Sequence, residues 1–144
     1  MPEILIINGP NLNLTGRREP DVYGTRSMDE IIATVRARFE GHATISYFQS
    51  NHEGHIIDRL HAAGFGAVQG IVLNAGAYTH TSLAIADAIA AISTPVVEVH
   101  MSNVAAREPI RRTSLIAPVC RGTITGLGPA VYSLAVAALI EPDL

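Results

Sequence analysis

The stretch Glu3-Ile4-Leu5-Ile6-Ile7-Asn8-Gly9-Pro10-Asn11 decides how the rest of the chain is read. A run of bulky apolar residues stops abruptly at polar and turn-forming ones. The same pattern returns three times. Ile45-Ser46-Tyr47-Phe48 runs into Gln49-Ser50-Asn51-His52, Ile71-Val72-Leu73 into Asn74-Ala75-Gly76, and Val96-Val97-Glu98-Val99 into His100-Met101-Ser102-Asn103. Short runs of this kind, separated by helical patterns, are expected to be parallel strands of an α/β sheet. Ligands in such sheets bind outside the carboxyl ends of the strands, near a topological switch point. Any one of these polar ends is explained by turn chemistry. Four together, two of them holding histidine, point to a polar site at one rim.

Between the runs lie the helices. Ser27-Met28-Asp29-Glu30 reads as a capping box. Ile31, Val35 and Phe39 then form one apolar stripe for the sheet, with Arg36 and Arg38 turned to solvent. A second helix is expected from near Asn51, burying Ile56, Ile57, Leu60 and Ala63 and stopping at Gly64 and Gly66. A third follows His80-Thr81-Ser82 and runs from Leu83 to Ile92. Its small residues suit close packing on both sides and an oligomer contact. Pro95 opens the fourth strand, and Gly122-Thr123-Ile124-Thr125 is a short fifth. Residues 107–113 read as irregular or a short helical turn, and a last helix ends near Ile140. The order β-α-β-α-β-α-β-β-α implies a flavodoxin-like, doubly wound, five-stranded parallel sheet, with residues 1–144 as a single catalytic domain. Residues from about 9 to 26 have no period. A loop of that length is often a lid, with Gly16 and Gly24 available as hinges.

Composition narrows the chemistry. The chain of 144 residues has a net charge of −3 and no basic stripe interleaved with aromatics, which argues against nucleic acid as a partner. No apolar stretch reaches membrane-spanning length, and the first residues lack a secretory pattern. The one cysteine, Cys120, has no partner for an internal disulfide, so a cytoplasmic setting is expected, with Cys120 as a packing residue. All ten basic side chains counted as Lys and Arg are arginine. Without lysine there is no Schiff-base amine, no pyridoxal phosphate anchor and no P-loop cation.

Glu98-Val99-His100 is the sharpest local signal, because residues i and i+2 share one face of a strand. A carboxylate beside imidazole fixes its tautomer and favours the protonated form, as a general acid requires. A buried charge pair without catalytic part is the alternative. Arg17-Arg18-Glu19-Pro20 and Tyr23 lie in the long loop. Tyrosine, with a pKa of about 10, is a poor base at neutral pH unless guanidinium groups stabilise the phenolate. From spacing, a catalytic lid and a solvated basic loop fit equally. Asn74 to Ser82 joins a strand to a helix start, where backbone amides favour an anion. Together with Ser102-Asn103 and Arg111 or Arg112, they fit a small, carboxylated, hydroxyl-rich ligand. His52-Glu53-Gly54-His55 is one residue short of zinc-protease spacing, and Gly126-x-Gly128 lacks the third glycine of a dinucleotide fingerprint.

Five ordered blocks resemble the type II 3-dehydroquinate dehydratases: Asn8-Gly9-Pro10-Asn11-Leu12, Arg18-Glu19-Pro20 with Tyr23-Gly24, Gln49-Ser50-Asn51-His52-Glu53-Gly54, Asn74 to Ser82, and Glu98 to Asn103. The resemblance covers nearly the whole chain. It implies a lyase that turns 3-dehydroquinate into 3-dehydroshikimate and water through an enolate, in the shikimate pathway or quinate breakdown. It also implies that no metal or organic cofactor takes part. By the same resemblance Tyr23, activated by Arg18 and Arg107, is the base. Asn11 holds a water on the enolate oxygen, and His100, oriented by Glu98, is the acid. Asn74, His80, Met101, Ser102 and Arg111 bind substrate, and Asp87 reaches a neighbouring subunit's site. The implied assembly is a homo-oligomer, a dodecamer built as a tetramer of trimers. The chain departs from the family pattern at Ala105, Pro109, Leu115 and Ala86. Ala105 and Pro109 are expected near the pocket, which keeps a lyase of a different polyhydroxy acid open. A flavin carrier or a non-catalytic binding module on the same fold also stays open.

Overall fold

The computed structural model describes residues 1–141 and 143. The side chain of Tyr23, though not its backbone, lies outside what is described. The strands are β1 (Glu3–Asn8), β2 (Thr44–Gln49), β3 (Gly70–Asn74), β4 (Val96–His100) and β5 (Gly122–Thr125). The helices are α1 (Pro20–Tyr23), α2 (Met28–Arg38), α3 (Glu53–Ala63), α4 (Leu83–Ala91) and α5 (Ala130–Ile140). All strand pairs are parallel, in the order β2-β1-β3-β4-β5. The doubly wound reading therefore holds.

Strand alternation divides the core between the two faces. Ile4 and Ile6 of β1 pack with Ile31, Val35, Val72, Val97 and Val136 on the α2/α5 side. Leu5 and Ile7 pack with Ile56, Leu60, Ile71, Leu73, Ile85 and Ile89 on the α3/α4 side. Covered on both faces, β1, β3 and β4 read as near-continuous apolar runs. The second run differs from the other three. β2 is an edge strand, and of its residues only Ile45 is buried.

Local chemistry sets several boundaries. Ser27 Oγ accepts the Glu30 backbone N–H at 3.2 Å, completing the expected capping box. Arg36 is exposed, as expected, and also donates from Nε to the Ile45 carbonyl at 3.1 Å, tying α2 to the sheet edge. The second helix begins at Glu53, two residues after Asn51, and Ile57 is only partly buried. Gly64 caps it with φ −80, so left-handed freedom is not its role. A Cβ there would strike the Ile92 side chain, so close approach is the reason for glycine.

The long loop after β1 is not structureless, as its aperiodic sequence suggested. It holds a 3-10 turn (Leu12–Leu14) and the one-turn helix α1, entered by Pro20 at N1. Elements of three or four residues are too short to carry a period. Residues 107–113 include a 3-10 turn, Pro109–Arg112.

The winding brings three strand ends to one rim. β1 sends the chain one way to β2, while β3 lies on its other side. The carboxyl ends of β1 and β3 thus flank the switch point. Gly9 donates its N–H to the Asn74 carbonyl at 2.7 Å. A Cβ on Gly9 would sit 2.5 Å from the Ala75 carbonyl oxygen, so only glycine lets the two loops meet.

Candidate active site

A cavity opens at this rim. Pro10, Asn11, Leu12 and Arg18 form one wall, Asn74, Gly76, Ala77 and His80 a second, and His100, Met101, Ser102, Val104, Arg107 and Arg111 the rest. Among the described residues, three arginines line it and no carboxylate does. Guanidinium groups are the natural partners of a planar carboxylate, so this wall suits an anionic ligand.

β4 supplies a buried carboxylate–imidazole pair. Glu98 and His100 share one face, and His100 Nε2 meets Glu98 Oε2 at 2.5 Å. Glu98 is 2% exposed and His100 6%. A carboxylate oxygen accepts, so the ring proton sits on Nε2 and Nδ1 is left for a ligand. On the second wall His80 lies against His100, the ring centroids 6.2 Å apart and 23° from parallel. Its Nδ1 is 2.8 Å from the Thr113 carbonyl. A carbonyl only accepts, so His80 carries its proton on Nδ1 and offers Nε2 to a ligand.

Asn74 ends β3 on the opposite face of the sheet from Glu98. Its Oδ1 accepts from Gly76 N–H at 3.2 Å, and its Nδ2 donates to the Tyr132 hydroxyl at 3.0 Å. Tyr132, fully buried on α5, donates in turn to Asn8 Oδ1 at 2.8 Å. Asn8 Nδ2 donates to the Tyr47 hydroxyl at 3.2 Å. One phenol therefore fixes the polar ends of both β1 and β3. Sequence reading missed Tyr132. The available signal was an aromatic hydroxyl in a helix whose other residues, Ser133 aside, are aliphatic.

Asn11 holds a left-handed backbone, φ 69, a region asparagine tolerates better than most residues. Its N–H donates to Asn51 Oδ1 at 3.0 Å. Farther along the loop, Glu19 lies 3.7 Å from Arg18 and 3.6 Å from Arg107. Arg107 also donates to Ser102 Oγ at 3.4 Å, and Arg111 faces both oxygens of Glu108 at 3.2 Å.

The structure thus gathers Asn11, Arg18, Asn74, His80, His100, Met101, Ser102, Arg107 and Arg111 around one cavity, with Glu98 buried behind His100. Asp87 stands exposed on α4 and does not line it. Ala105 and Pro109, expected near the pocket, are exposed and absent from its walls. They lie on the outer side of short 3-10 turns whose neighbours Val104, Arg107 and Arg111 face inward. Leu115 is half-buried, and Ala86 is buried on α4. His52 and His55 touch each other but are not cavity residues, and no metal-binding cluster occurs among the described residues.

Burial also sets an alkaline limit on stability. It raises Tyr132 well above the ordinary 10.0, raises Tyr47 in the same direction, and pushes Cys120 from 9.0 up to about 12, with the charge of Glu98 adding to the cysteine's shift. A group with a raised folded pKa contributes stability that is full below its unfolded pKa and is lost as pH rises through the folded value. Chemical denaturation is expected to show stability falling above about pH 9 for Cys120 and above about pH 10 for the tyrosines. Tyr132→Phe should remove part of the steeper limb. It should also cost about 2 kcal/mol or more at neutral pH, because Asn8 Oδ1 and Asn74 Nδ2 lose their partner while buried. Unchanged stability in this variant would exclude the strut role.

Comparison with known proteins points to one family and one fold. The family described as Dehydroquinase class II matches residues 2–140. The chain is 57% identical over 138 residues to a 3-dehydroquinate dehydratase of an Exiguobacterium species, covering 96% of this chain and 94% of that one. It is 56% identical over 144 residues to the enzyme of that name from Bacillus licheniformis, covering 99% of both. Among solved structures, the type II dehydroquinase of Butyrivibrio crossotus superposes with a TM-score of 0.92 at 44% identity, covering 95% of this chain and 96% of that one. That of Propionibacterium acnes gives 0.93 at 37% identity, covering 97% of both.

Proposed function

The chain belongs to the class II dehydroquinase family, and from that premise we propose that its cavity dehydrates 3-dehydroquinate to 3-dehydroshikimate through an enolate. The observation that carries this reading is the buried Glu98–His100 pair opening onto a cavity lined, among the described residues, by three arginines and no acid. Such a site takes a carboxylated substrate and gives a proton to a departing hydroxyl.

The bonds change as follows. Tyr23, as phenolate, removes a proton from the carbon beside the ketone, and the electron pair moves to the ketone oxygen. Asn11 stabilises that enolate oxygen through a water. The enolate then re-forms the ketone and a carbon–carbon double bond. The carbon–oxygen bond breaks, and the hydroxyl leaves as water with a proton from His100 Nδ1; the imidazole enters this step doubly protonated, its Nε2–H held by Glu98, and leaves it neutral. Solvent restores both protonation states. Arg18 and Arg107 supply the positive charge that favours phenolate. Arg111 takes the substrate carboxylate, and Asn74, His80, Met101 and Ser102 take its hydroxyls and ring. No metal or organic cofactor has a part in these steps.

Residues 9–26 act as a lid within one catalytic domain, 1–144, and the Glu19–Arg107 contact is its closing point. The proposed assembly is a dodecamer, a tetramer of trimers, in which exposed Asp87 completes a neighbour's cavity. Cytoplasm is the proposed compartment. No described helix is long and apolar enough to cross a membrane.

An ultraviolet assay with 3-dehydroquinate tests the reading. Absorbance of the conjugated enone should rise, and the rise should survive chelator and borohydride. A folded sample that binds the substrate without turnover would instead mark a binding module.

A further inference from the structure

We infer that Ser114 is a positioning residue for the proton-donating pair, holding Glu98 so that His100 points its free nitrogen into the cavity. The inference rests on the dehydratase reading above. Ser114 lies outside the five sequence blocks quoted above, and it does not line the cavity.

The geometry fixes the direction of each hydrogen bond. Ser114 Oγ accepts the Ala117 backbone N–H at 3.0 Å, so the hydroxyl proton is free to point elsewhere. It points to Glu98 Oε1, 2.9 Å away. The other carboxylate oxygen, Oε2, takes His100 Nε2–H. Both oxygens of a buried carboxylate are thereby occupied, and its plane cannot rotate. Without the serine, Oε1 would be a buried anionic oxygen with no partner among the described residues. The carboxylate would then turn, and the imidazole held by its other oxygen would turn with it.

The segment that carries Ser114 is itself anchored. The Leu115 N–H donates to the Thr79 carbonyl at 2.9 Å. The Thr113 carbonyl accepts from His80 Nδ1 at 2.8 Å. Two consecutive residues therefore orient both cavity imidazoles, one through a backbone carbonyl and the other through a hydroxyl. Only the hydroxyl can be removed by substitution. Since Ser114 acts on the acid and not on the base, its loss should slow departure of the hydroxyl and spare enolate formation.

The test compares wild type, Ser114→Ala and Ser114→Thr in deuterated buffer with 3-dehydroquinate. It follows product formation and deuterium entry beside the ketone of recovered substrate. The expected result for Ser114→Ala is kcat about 10- to 100-fold lower, with KM within about threefold. The ratio of deuterium exchange to product should rise, because the enolate returns to substrate more often than it loses the hydroxyl as water. Ser114→Thr, which keeps the hydroxyl, should restore both values. If Ser114→Ala does not fold, Ser114→Cys replaces it, as a similar-sized side chain with a weak donor. Unchanged kcat, or exchange and turnover falling together, would overturn the inference while leaving the dehydratase reading intact. A folded wild type that shows no turnover would overturn both.

Discussion

Tyr23→Phe should lower kcat by about 10³-fold or more and should abolish exchange of the substrate's α proton along with dehydration. The substitution removes one oxygen and keeps the ring. If that oxygen is the base, no enolate forms and nothing downstream can proceed. Positive charge near a phenol is what lets it act as a base at neutral pH. Arg18 and Arg107 both line the cavity, and α1, which ends at Tyr23, is tethered beside them by Glu19. Glu19 also takes a left-handed backbone, φ 43, which a non-glycine residue holds only against a steric cost. Its carboxylate is about half exposed, so its ion pairs are individually weak. The tether can therefore break and re-form during turnover. Thermal unfolding of Tyr23→Phe should match wild type. A variant keeping more than a tenth of wild-type kcat would remove Tyr23 from the role of base.

His100→Ala should separate the two halves of the reaction. Dehydration is expected to fall about 10²- to 10⁴-fold, the range for loss of a general acid. Exchange of the α proton should continue, since its removal is assigned to a different residue. The substitution also leaves Glu98 buried with Ser114 as its remaining hydrogen-bond donor among the described residues, so a stability loss of about 1–3 kcal/mol should accompany it. Measuring exchange and turnover on the same sample keeps that loss from being mistaken for catalysis. Parallel loss of exchange and dehydration would assign His100 to the pocket's architecture, and the acid would have to be sought elsewhere. The contrast with Tyr23→Phe is the informative result: one variant blocked before the enolate and one after it.

Much of this was legible without coordinates, and the reason is range. Glu98 and His100 could be paired from sequence because two residues on one strand share a face whatever surrounds them. The Ser27 capping box and the polar strand ends are local in the same sense. Alternation of apolar runs with helical stripes, together with the rule that places ligands at carboxyl ends, was enough for the doubly wound sheet and its functional rim. Tertiary structure decided the rest. Tyr132 reaches Asn8 across 124 positions and Asn74 across 58. Asn51 steadies Asn11 from 40 positions away. Ser114 meets Glu98 only because a short turn folds back beside β4. No periodicity encodes such pairs, since they depend on which layer packs on which face and at what register. The same cause explains the half-exposed β2, whose apolar run looks like the others until the winding leaves it at the edge. It also explains Ala105 and Pro109, which sit near the cavity in sequence and outside it in space. By itself, then, the chain's local pattern determined the fold and the chemical pair at its rim; how that pair is held, aimed and enclosed was decided by long-range packing.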